Sequence, residues 1–148
     1  MNIVLNRNYI GKKATDGVIT IDNMRVADCA EHTPTMLPQG TYVVGIDRCP
    51  QYRRKMPLIC IKQYTGCLHC LKRHILSTHA MLPCYCPMIK IGNGAYNRTD
   101  GSIIIGDRYL NGVIINSAPY YDRLIDRLDK AQNRGEKITL TIKNPCVI

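Results

Sequence analysis

The residues best suited to chemistry are cysteines and histidines gathered in residues 63–87. Two close cysteine pairs, spaced Cys-x-x-Cys and Cys-x-Cys, flank a segment that contains histidines. Two thiolates on a tight turn can hold one ion, and Zn²⁺ prefers four sulfur or nitrogen ligands in a tetrahedron. The spacing therefore predicts a structural zinc site. The predicted ligands are Cys67, Cys70, Cys84 and Cys86, with His74 and His79 as alternates.

Two other states of these cysteines stay open at this point. Disulfides would require an oxidising compartment, whereas reduced thiols often serve as small buried apolar groups. Cys60 lies in a strand-like run and fits the second description. A catalytic zinc is disfavoured because no acidic residue lies in residues 49–99 to serve as its base. A structural metal would also order an insertion that shows no clear periodicity of its own.

The charge of the chain is concentrated in the same region. The net charge is +9, from 20 basic and 11 acidic residues. Residues 48–99 contain nine basic residues and no acidic residue, so the rest of the chain is neutral, with 11 of each. This distribution excludes a uniformly basic protein and predicts a neutral scaffold with one basic region.

A basic region of this kind predicts an anionic partner. The partner would be a nucleic acid, an anionic cell-wall polymer or an acidic protein surface, and Tyr52, Tyr64 or Tyr85 could stack on bases. The alternative is that the charges are simply solvated and keep the protein soluble. The candidate polyanion-binding residues are Arg53, Arg54, Lys55, Lys72 and Arg73.

The elements that must position these residues are mostly strands. A length of 148 residues predicts a single domain over residues 1–148, with residues 63–87 as an insertion. Alternating or β-branched runs between turn residues indicate short strands along the chain. The predicted strands cover residues 2–10, 18–22, 24–29, 41–47, 57–62, 87–91, 102–106, 111–115 and 137–143.

One helix is predicted near the C-terminus. Ser117 is a candidate N-cap, Pro119 lies in the first turn, and Gly135 is a candidate C-cap. The apolar stripe of this helix has a period of 3.6 residues. It consists of Tyr121, Leu124, Ile125, Leu128 and Ala131. The predicted fold class is α+β: a β-rich domain with a small mixed or barrel-like sheet, one C-terminal amphipathic helix and a Cys/His-rich insertion.

The chain shows no segment that would send it to or through a membrane. Its first residues alternate like a strand, and no apolar run reaches the length of a membrane span. We therefore expect a cytoplasmic protein without membrane insertion, for which virion-associated or lysis-dependent export stays open.

The order of several short motifs resembles the domain-of-unknown-function family 5675, which is common in gut Bacteroidetes and in phages. The similarity covers nearly the whole chain outside the insertion. The motifs are Asp28-Cys29-Ala30-Glu31, Leu37-Pro38-Gln39-Gly40-Thr41-Tyr42, Arg54-Lys55-Met56-Pro57-Leu58, Ile89-Lys90-Ile91-Gly92-Asn93, Thr99-Asp100-Gly101-Ser102-Ile103 and Asn111-Gly112-Val113-Ile114-Ile115-Asn116-Ser117.

This resemblance implies a relationship to L,D-transpeptidases, which cross-link peptidoglycan stem peptides through an acyl group on a cysteine activated by a histidine. In this chain the cysteine position is Ser102, and the histidine position falls at about Gly92 or Asn93. In the loop between Gly92 and Gly101, Asp100 is the only candidate for a general acid or base. A carboxylate with an ordinary pKa is a weak base for an alcohol.

These observations favour a non-catalytic relative of that family, acting as a binding or structural module with a structural zinc and associated with a phage or mobile element. Two alternatives stay open. One is an active peptidoglycan-modifying enzyme with Ser102 as nucleophile and a base such as His79 from the insertion. The other is a nucleic-acid-binding protein that uses the basic, zinc-bound region.

Overall fold

The structure is a computed structural model that describes residues 1–49, 52–60, 87–96 and 100–146. In these ranges the chain forms one nine-stranded sheet, a short 3₁₀ turn at Thr33–Thr35 and one helix. The elements are β1 Asn2–Ile10, β2 Ala14–Ile21, β3 Met24–His32, β4 Gly40–Cys49, β5 Arg54–Cys60, β6 Ile89–Lys90, β7 Ile103–Leu110, β8 Val113–Ile115, α1 Ser117–Asn133 and β9 Ile138–Lys143.

The sheet curls until its two ends meet. Its order is β5-β4-β9-β1-β2-β3-β7-β6, and β8 pairs with β7 outside this path. Strand β5 touches β6 through a bridge between Leu58 and Met88, and the Ile59 amide donates to the Pro87 carbonyl at 2.8 Å. Two neighbouring pairs, β1 with β9 and β6 with β7, are parallel and the others are antiparallel. The β-rich α+β architecture with a mixed, barrel-like sheet is thus confirmed.

The main core lies between this sheet and the helix. Inward positions alternate along the strands, as at Ile3 and Leu5 in β1 and at Ile19 and Ile21 in β2, and all four are fully buried. Helix α1 buries the predicted stripe of Tyr121, Leu124, Leu128 and Ala131 against them, with Ile125 half-buried. Each large apolar side chain removed from water contributes about 1.5–3 kcal/mol, so this shared core holds helix and sheet together.

The two ends of α1 are set by different kinds of contact: a local one at the C-terminus and a tertiary one at the N-terminus. Gly135 follows the helix in the left-handed region, with φ of 78°, and its amide donates to the Gln132 carbonyl at 2.9 Å, as predicted for a C-terminal glycine. The prediction of Ser117 as N-cap was wrong, since Asn116 holds that position. The Ser117 hydroxyl instead donates to the Ile105 carbonyl at 2.5 Å and accepts from the Gly92 amide at 3.2 Å. A tertiary contact has replaced the local cap.

Several strands differ in length from their predicted ranges. Strand β2 begins at Ala14, four residues before the predicted start, because the Gly11 amide closes the preceding turn on the Ala14 carbonyl. Strand β7 continues to Leu110 and β6 has two residues. The predicted strands 18–22 and 24–29 imply a tight turn at Asp22 and Asn23, and φ values of 53° and 64° give both residues the left-handed conformation that tight hairpins need.

Two buried polar groups connect the sheet to its loops. The Arg7 guanidinium binds the Glu31 carboxylate through two bonds of 2.8 Å, and both side chains are almost fully enclosed. The Asp16 carboxylate accepts from the Gly112 amide and from Asn111 Nδ2, each at 2.9 Å. A charge taken out of water is tolerated only when it is paired in this way. Asp16 therefore fixes the β7–β8 turn against β2.

Of the predicted insertion over residues 63–87, residues 63–86 lie outside the described ranges. In the part of the chain that the structure does describe, no helix combines the length and the apolar character that a bilayer span needs.

Candidate functional site

Ser102 lies at the start of β7, beside β6, where the two parallel strands meet. Its side chain is enclosed, with 1% of the residue exposed. The Ser102 hydroxyl accepts a hydrogen bond from the Met88 amide at 3.1 Å, and the Ser102 amide donates to Asp100 Oδ1 at 3.0 Å. The first bond fastens the loop that precedes β7 to the entry of β6, and the second holds the end of that loop together.

Lys90 is the basic residue that the fold brings to this position. Its side chain is 6% exposed and its Nζ lies 2.7 Å from Asp100 Oδ2 and 5.0 Å from the centre of the Tyr52 ring. Asp100 therefore bridges the Lys90 ammonium and the Ser102 amide with its two oxygens. We call Met88, Lys90, Asp100 and Ser102 the Ser102 corner.

The electrostatics of the Ser102 corner keep both ionisable groups charged. Burial acts to lower the pKa of Lys90, but contact with Asp100 and Tyr52 outweighs it and raises that pKa above its usual value. Burial likewise acts to raise the pKa of Asp100, but hydrogen bonds from Lys90 and Ser102 prevail and lower it. A protonated lysine has no lone pair, and a carboxylate of low pKa is a poor base. Neither group is suited to take a proton from Ser102.

Gly92 and Asn93, which were expected at the position of the catalytic histidine, use their backbone groups to bind neighbouring elements of the fold. The Gly92 amide donates to Ser117, and the Asn93 carbonyl accepts from the Ile114 amide at 2.8 Å. Sequence reasoning missed Lys90. The signal was present: the family that the chain resembles has an Ile-His-x-Gly-Asn motif, and aligning it with Ile89-Lys90-Ile91-Gly92-Asn93 puts Lys90, not Gly92 or Asn93, at the histidine.

The predicted polyanion-binding residues separate into two groups in the structure. Arg54 binds Asp122 at 3.3 Å and stacks on the Tyr121 ring at 4.7 Å, while Lys55 Nζ binds Asp129 at 3.0 Å. Both side chains thus dock the start of β5 on α1. Arg53 is exposed at the β4–β5 turn and makes no ion pair within the described ranges. Lys72 and Arg73 lie outside the described ranges.

All of the predicted zinc ligands also lie outside the described ranges, so the metal site stays a prediction. The residues concerned are Cys67, Cys70, Cys84 and Cys86, with His74 and His79. Within residues 1–49, 52–60, 87–96 and 100–146, no three His, Cys, Asp or Glu side chains come together as a metal site requires.

The cysteines that the structure does describe are free thiols. Cys29 and Cys49 are buried, Cys60 is half-buried at the end of β5, and Cys146 is exposed. Burial, reinforced by Glu31 and Asp28 nearby, raises the pKa of the Cys29 thiol well above its usual value. A thiol of raised pKa is a poor nucleophile, so Cys29 acts as a packing residue.

Comparison with known proteins gave no match: no family model fits the chain, and neither a curated protein nor a solved structure is significantly similar to it.

Proposed function

We propose that this protein is a non-catalytic relative of the family that resembles L,D-transpeptidases, and that it acts as a binding or structural module. The observation that carries the proposal is the state of Ser102. Its hydroxyl is enclosed and holds the Met88 amide, while the neighbouring Lys90 and Asp100 neutralise each other at 2.7 Å.

The chemistry of acyl transfer supports this assignment. A serine nucleophile needs an open approach for the acyl donor and a neutral base within hydrogen-bond reach. In the described part of the chain, the Ser102 hydroxyl accepts from the Met88 amide, which cannot take up a proton, and its other polar neighbour is Asp100, a carboxylate whose lowered pKa makes it a poor base. The same contacts fit a structural role, because they fasten β6 to β7 where the curled sheet closes.

The alternative is an active peptidoglycan-modifying enzyme with Ser102 as nucleophile and a base such as His79. Peptidoglycan stem peptides incubated with the full chain and analysed by mass spectrometry separate the two. We expect no cleaved or newly joined peptides. Products that disappear in Ser102→Ala would overturn the proposal.

Ser117→Ala is the matched control for this experiment. Ser117 is also a buried serine with two hydrogen bonds, so its loss reproduces the structural cost of removing a hydroxyl. Products that disappear equally in both variants would report lost stability, and only a selective loss in Ser102→Ala would assign catalysis to Ser102.

A structural zinc is the second part of the proposal. The donor set of two cysteine pairs and two histidines is of the type that zinc selects, and binding energy of this kind would order a segment whose sequence shows no clear periodicity. We expect one zinc ion per chain in protein purified under reducing conditions. The matched variants are Cys67→Ser, which should lose the metal, and Cys146→Ser, which should keep it. Protein that contains no zinc, and whose cysteines form disulfides or do not react with a thiol reagent, would contradict the zinc site.

A second candidate function, binding to a polyanion through the basic region, is favoured by one observation at the β4–β5 turn. Arg53 is an exposed cation at a turn, and its φ of 55° is unfavourable for a residue with a side chain. Binding to nucleic acid or to an anionic cell-wall polymer should weaken steeply with salt and with Arg53→Ala, and less with Arg54→Ala, whose charge Asp122 already offsets. The association with a phage or mobile element rests on the family resemblance.

A further inference from the structure

Besides Tyr109 near the end of β7, which is 66% exposed, two tyrosines stand exposed at the end of the sheet where the β1–β2 turn meets the β7–β8 turn. Tyr9, near the end of β1, is 56% exposed, and Tyr96, which follows β6, is 47% exposed. The fully buried Tyr121 shows that this chain can enclose the ring of a tyrosine. Large rings left in water at one end of a domain indicate a surface that contacts something else.

The two tyrosines flank the same turn. A Cβ atom added to Gly11 would lie 3.0 Å from Tyr9 Cε1 and 3.4 Å from Asn111 Oδ1. A Cβ atom added to Gly112 would lie 2.8 Å from Tyr96 Cε2, and the Tyr96 hydroxyl donates to the Asn111 carbonyl at 3.1 Å. Glycines at these two positions therefore leave room for the rings on either side of Asn111.

The support beneath the rings is rigid. The enclosed Asp16 carboxylate holds the Gly112 amide and Asn111 Nδ2, and the Ala95 amide donates to the Gly112 carbonyl at 2.9 Å. These bonds join β2 and the loop after β6 to the turn. The tyrosines thus project from a surface that is already ordered, which reduces the entropy lost when a ligand binds.

Positive charge lies next to the rings. Lys12 and Lys13 occupy the β1–β2 turn beside Tyr9, both are exposed, and neither forms an ion pair with any part of the chain that the structure describes. Several exposed cations elsewhere are offset, as Lys130 is by Asp126 at 2.9 Å and Arg127 by Asp22 at 3.7 Å, whereas Arg53 and Lys137 have no ion pair within the described ranges. We call Tyr9, Lys12, Lys13 and Tyr96 the tyrosine end.

We propose that the tyrosine end binds single-stranded nucleic acid, with bases stacked on Tyr9 and Tyr96 and phosphates held by Lys12 and Lys13. Rings and unpaired cations together favour this ligand over others. A duplex hides the faces of its bases, an anionic polymer without rings gains little from tyrosine, and an uncharged glycan gains little from lysine. This inference goes beyond the proposed function, since it involves no residue of the Ser102 corner.

Fluorescence anisotropy of a labelled oligothymidylate with the full chain at low salt tests the stacking. Tyr9→Leu keeps an apolar side chain but removes the ring, and it should weaken binding about tenfold. Tyr96→Ala should do the same, whereas Tyr96→Phe keeps the ring and should bind like the wild type. Equal affinity in Tyr9→Leu, Tyr96→Ala and the wild type would overturn the proposal. Circular dichroism melts establish that each variant is folded.

The salt dependence of the same measurement tests the lysines. With both lysines replaced by alanine, the slope of log K against log salt should flatten by about 1.4, the value for two contacts to a single strand. The matched control is Lys137→Ala. Lys137 is exposed at the other end of β1, where its carbonyl accepts from the N-terminus, and its loss should leave the slope unchanged. An unchanged slope in the double variant would contradict phosphate binding here.

Three further outcomes would each contradict the proposal in a distinct way. Binding lost in Arg53→Ala but not in the tyrosine variants would place the nucleic acid at the β4–β5 turn, at the opposite end of the sheet. Self-association that the tyrosine variants abolish would assign the surface to a second copy of the chain. Tyrosine-dependent binding of a neutral glycan without oligonucleotide binding would assign it to a sugar. Turnover of stem peptides at Ser102 would refute the proposed function and leave this inference standing.

Discussion

The Ser102 corner and the tyrosine end hold their polar groups in opposite ways. In the Ser102 corner each polar group binds another part of the protein: Ser102 holds the Met88 amide and Asp100 holds Lys90. At the tyrosine end two rings and two cations face water, on a turn that Asp16 fixes from within. The polar groups of the Ser102 corner are paired within the protein where the sheet closes. The rings and cations of the tyrosine end are exposed and can contact a ligand.

In these two regions, the residue types that suggest chemistry are not the residues whose polar groups are exposed to solvent. Ser102 is a candidate nucleophile in the sequence because of its position in the motif, yet its hydroxyl is enclosed in the structure. The sequence gives no reason to single out Tyr9 and Tyr96, yet both lie beside one turn that buried hydrogen bonds hold in place. The predictions below test whether the two regions differ as described, from the largest expected effect to the smallest.

The largest effect is expected where the support of the tyrosine end is removed. Asp16→Ala leaves the Gly112 amide and Asn111 Nδ2 without their charged acceptor and should lower the free energy of unfolding by about 3 kcal/mol. Chemical denaturation measures this change. The control Asp16→Asn keeps one acceptor oxygen and should cost less. If Asp16→Ala is as stable as the wild type, the turn is not held as the structure indicates.

Ser102→Ala should be moderately destabilising. It removes the acceptor of the buried Met88 amide, at a cost of about 1–2 kcal/mol in the free energy of unfolding, and Ser117→Ala should cost a similar amount. Urea denaturation of the three proteins measures both values. Catalytic residues are often held at a cost in stability, so a variant Ser102→Ala more stable than the wild type would contradict the structural role.

A smaller, pH-dependent effect is expected from Lys90→Met. Because the pKa of Asp100 is lowered in the folded chain, its contribution to stability is present above its unfolded pKa of about 3.9 and is lost as pH falls through the folded value. Asp100 is nearly half exposed, so this contribution is below about 1 kcal/mol.

Denaturation midpoints of wild type and Lys90→Met, measured across acidic pH, check this expectation. The advantage of the wild type should be full at neutral pH and should shrink once the carboxylate is protonated. A difference between the two proteins that stays constant down to the lowest pH would indicate that the ion pair contributes nothing.

The smallest effect is expected at the β4–β5 turn. Glycine adopts a φ of 55° without steric cost, which favours the folded state of Arg53→Gly. The greater entropy of glycine in the unfolded chain offsets part of this gain, so the net stabilisation should be about 0.5 kcal/mol. Thermal melts check the sign, with Arg54→Gly as the control that should destabilise. A destabilised Arg53→Gly would mean that the arginine side chain contributes a contact of its own.

Local pattern was enough to predict the scaffold but not its polar contacts. The stripe through Tyr121, Leu124 and Leu128 and the left-handed turn at Asp22 depend on neighbours in the chain, and both were predictable. Ser117 was misassigned because its partners, Gly92 and Ile105, are distant in sequence. The preference of serine for an N-cap position contributes about 1 kcal/mol, which is less than the two buried hydrogen bonds that Ser117 forms instead.

The two functional regions show the same limit. Lys90 could have been found from the spacing of the Gly92-Asn93 motif, but its ion pair with Asp100 depends on a loop whose path the sequence does not specify. The tyrosine end depends on the hydrogen bond from Tyr96 to Asn111 and on the position of Tyr9 beside the same turn, which only the order of strands in the sheet creates. The zinc site stays a prediction from spacing alone.

The central claim is that the Ser102 hydroxyl is held in a structural contact and cannot act as a nucleophile. The most direct test of this claim is whether Ser102 can be acylated. Intact-protein mass spectrometry of the full chain, after incubation with an activated acyl ester of a stem peptide, reports any acyl-enzyme. We predict no mass increase at Ser102, because its hydroxyl is enclosed and bound to the Met88 amide. A stoichiometric acyl adduct that peptide mapping places on Ser102, absent in Ser102→Ala and present in Ser117→Ala, would contradict that prediction.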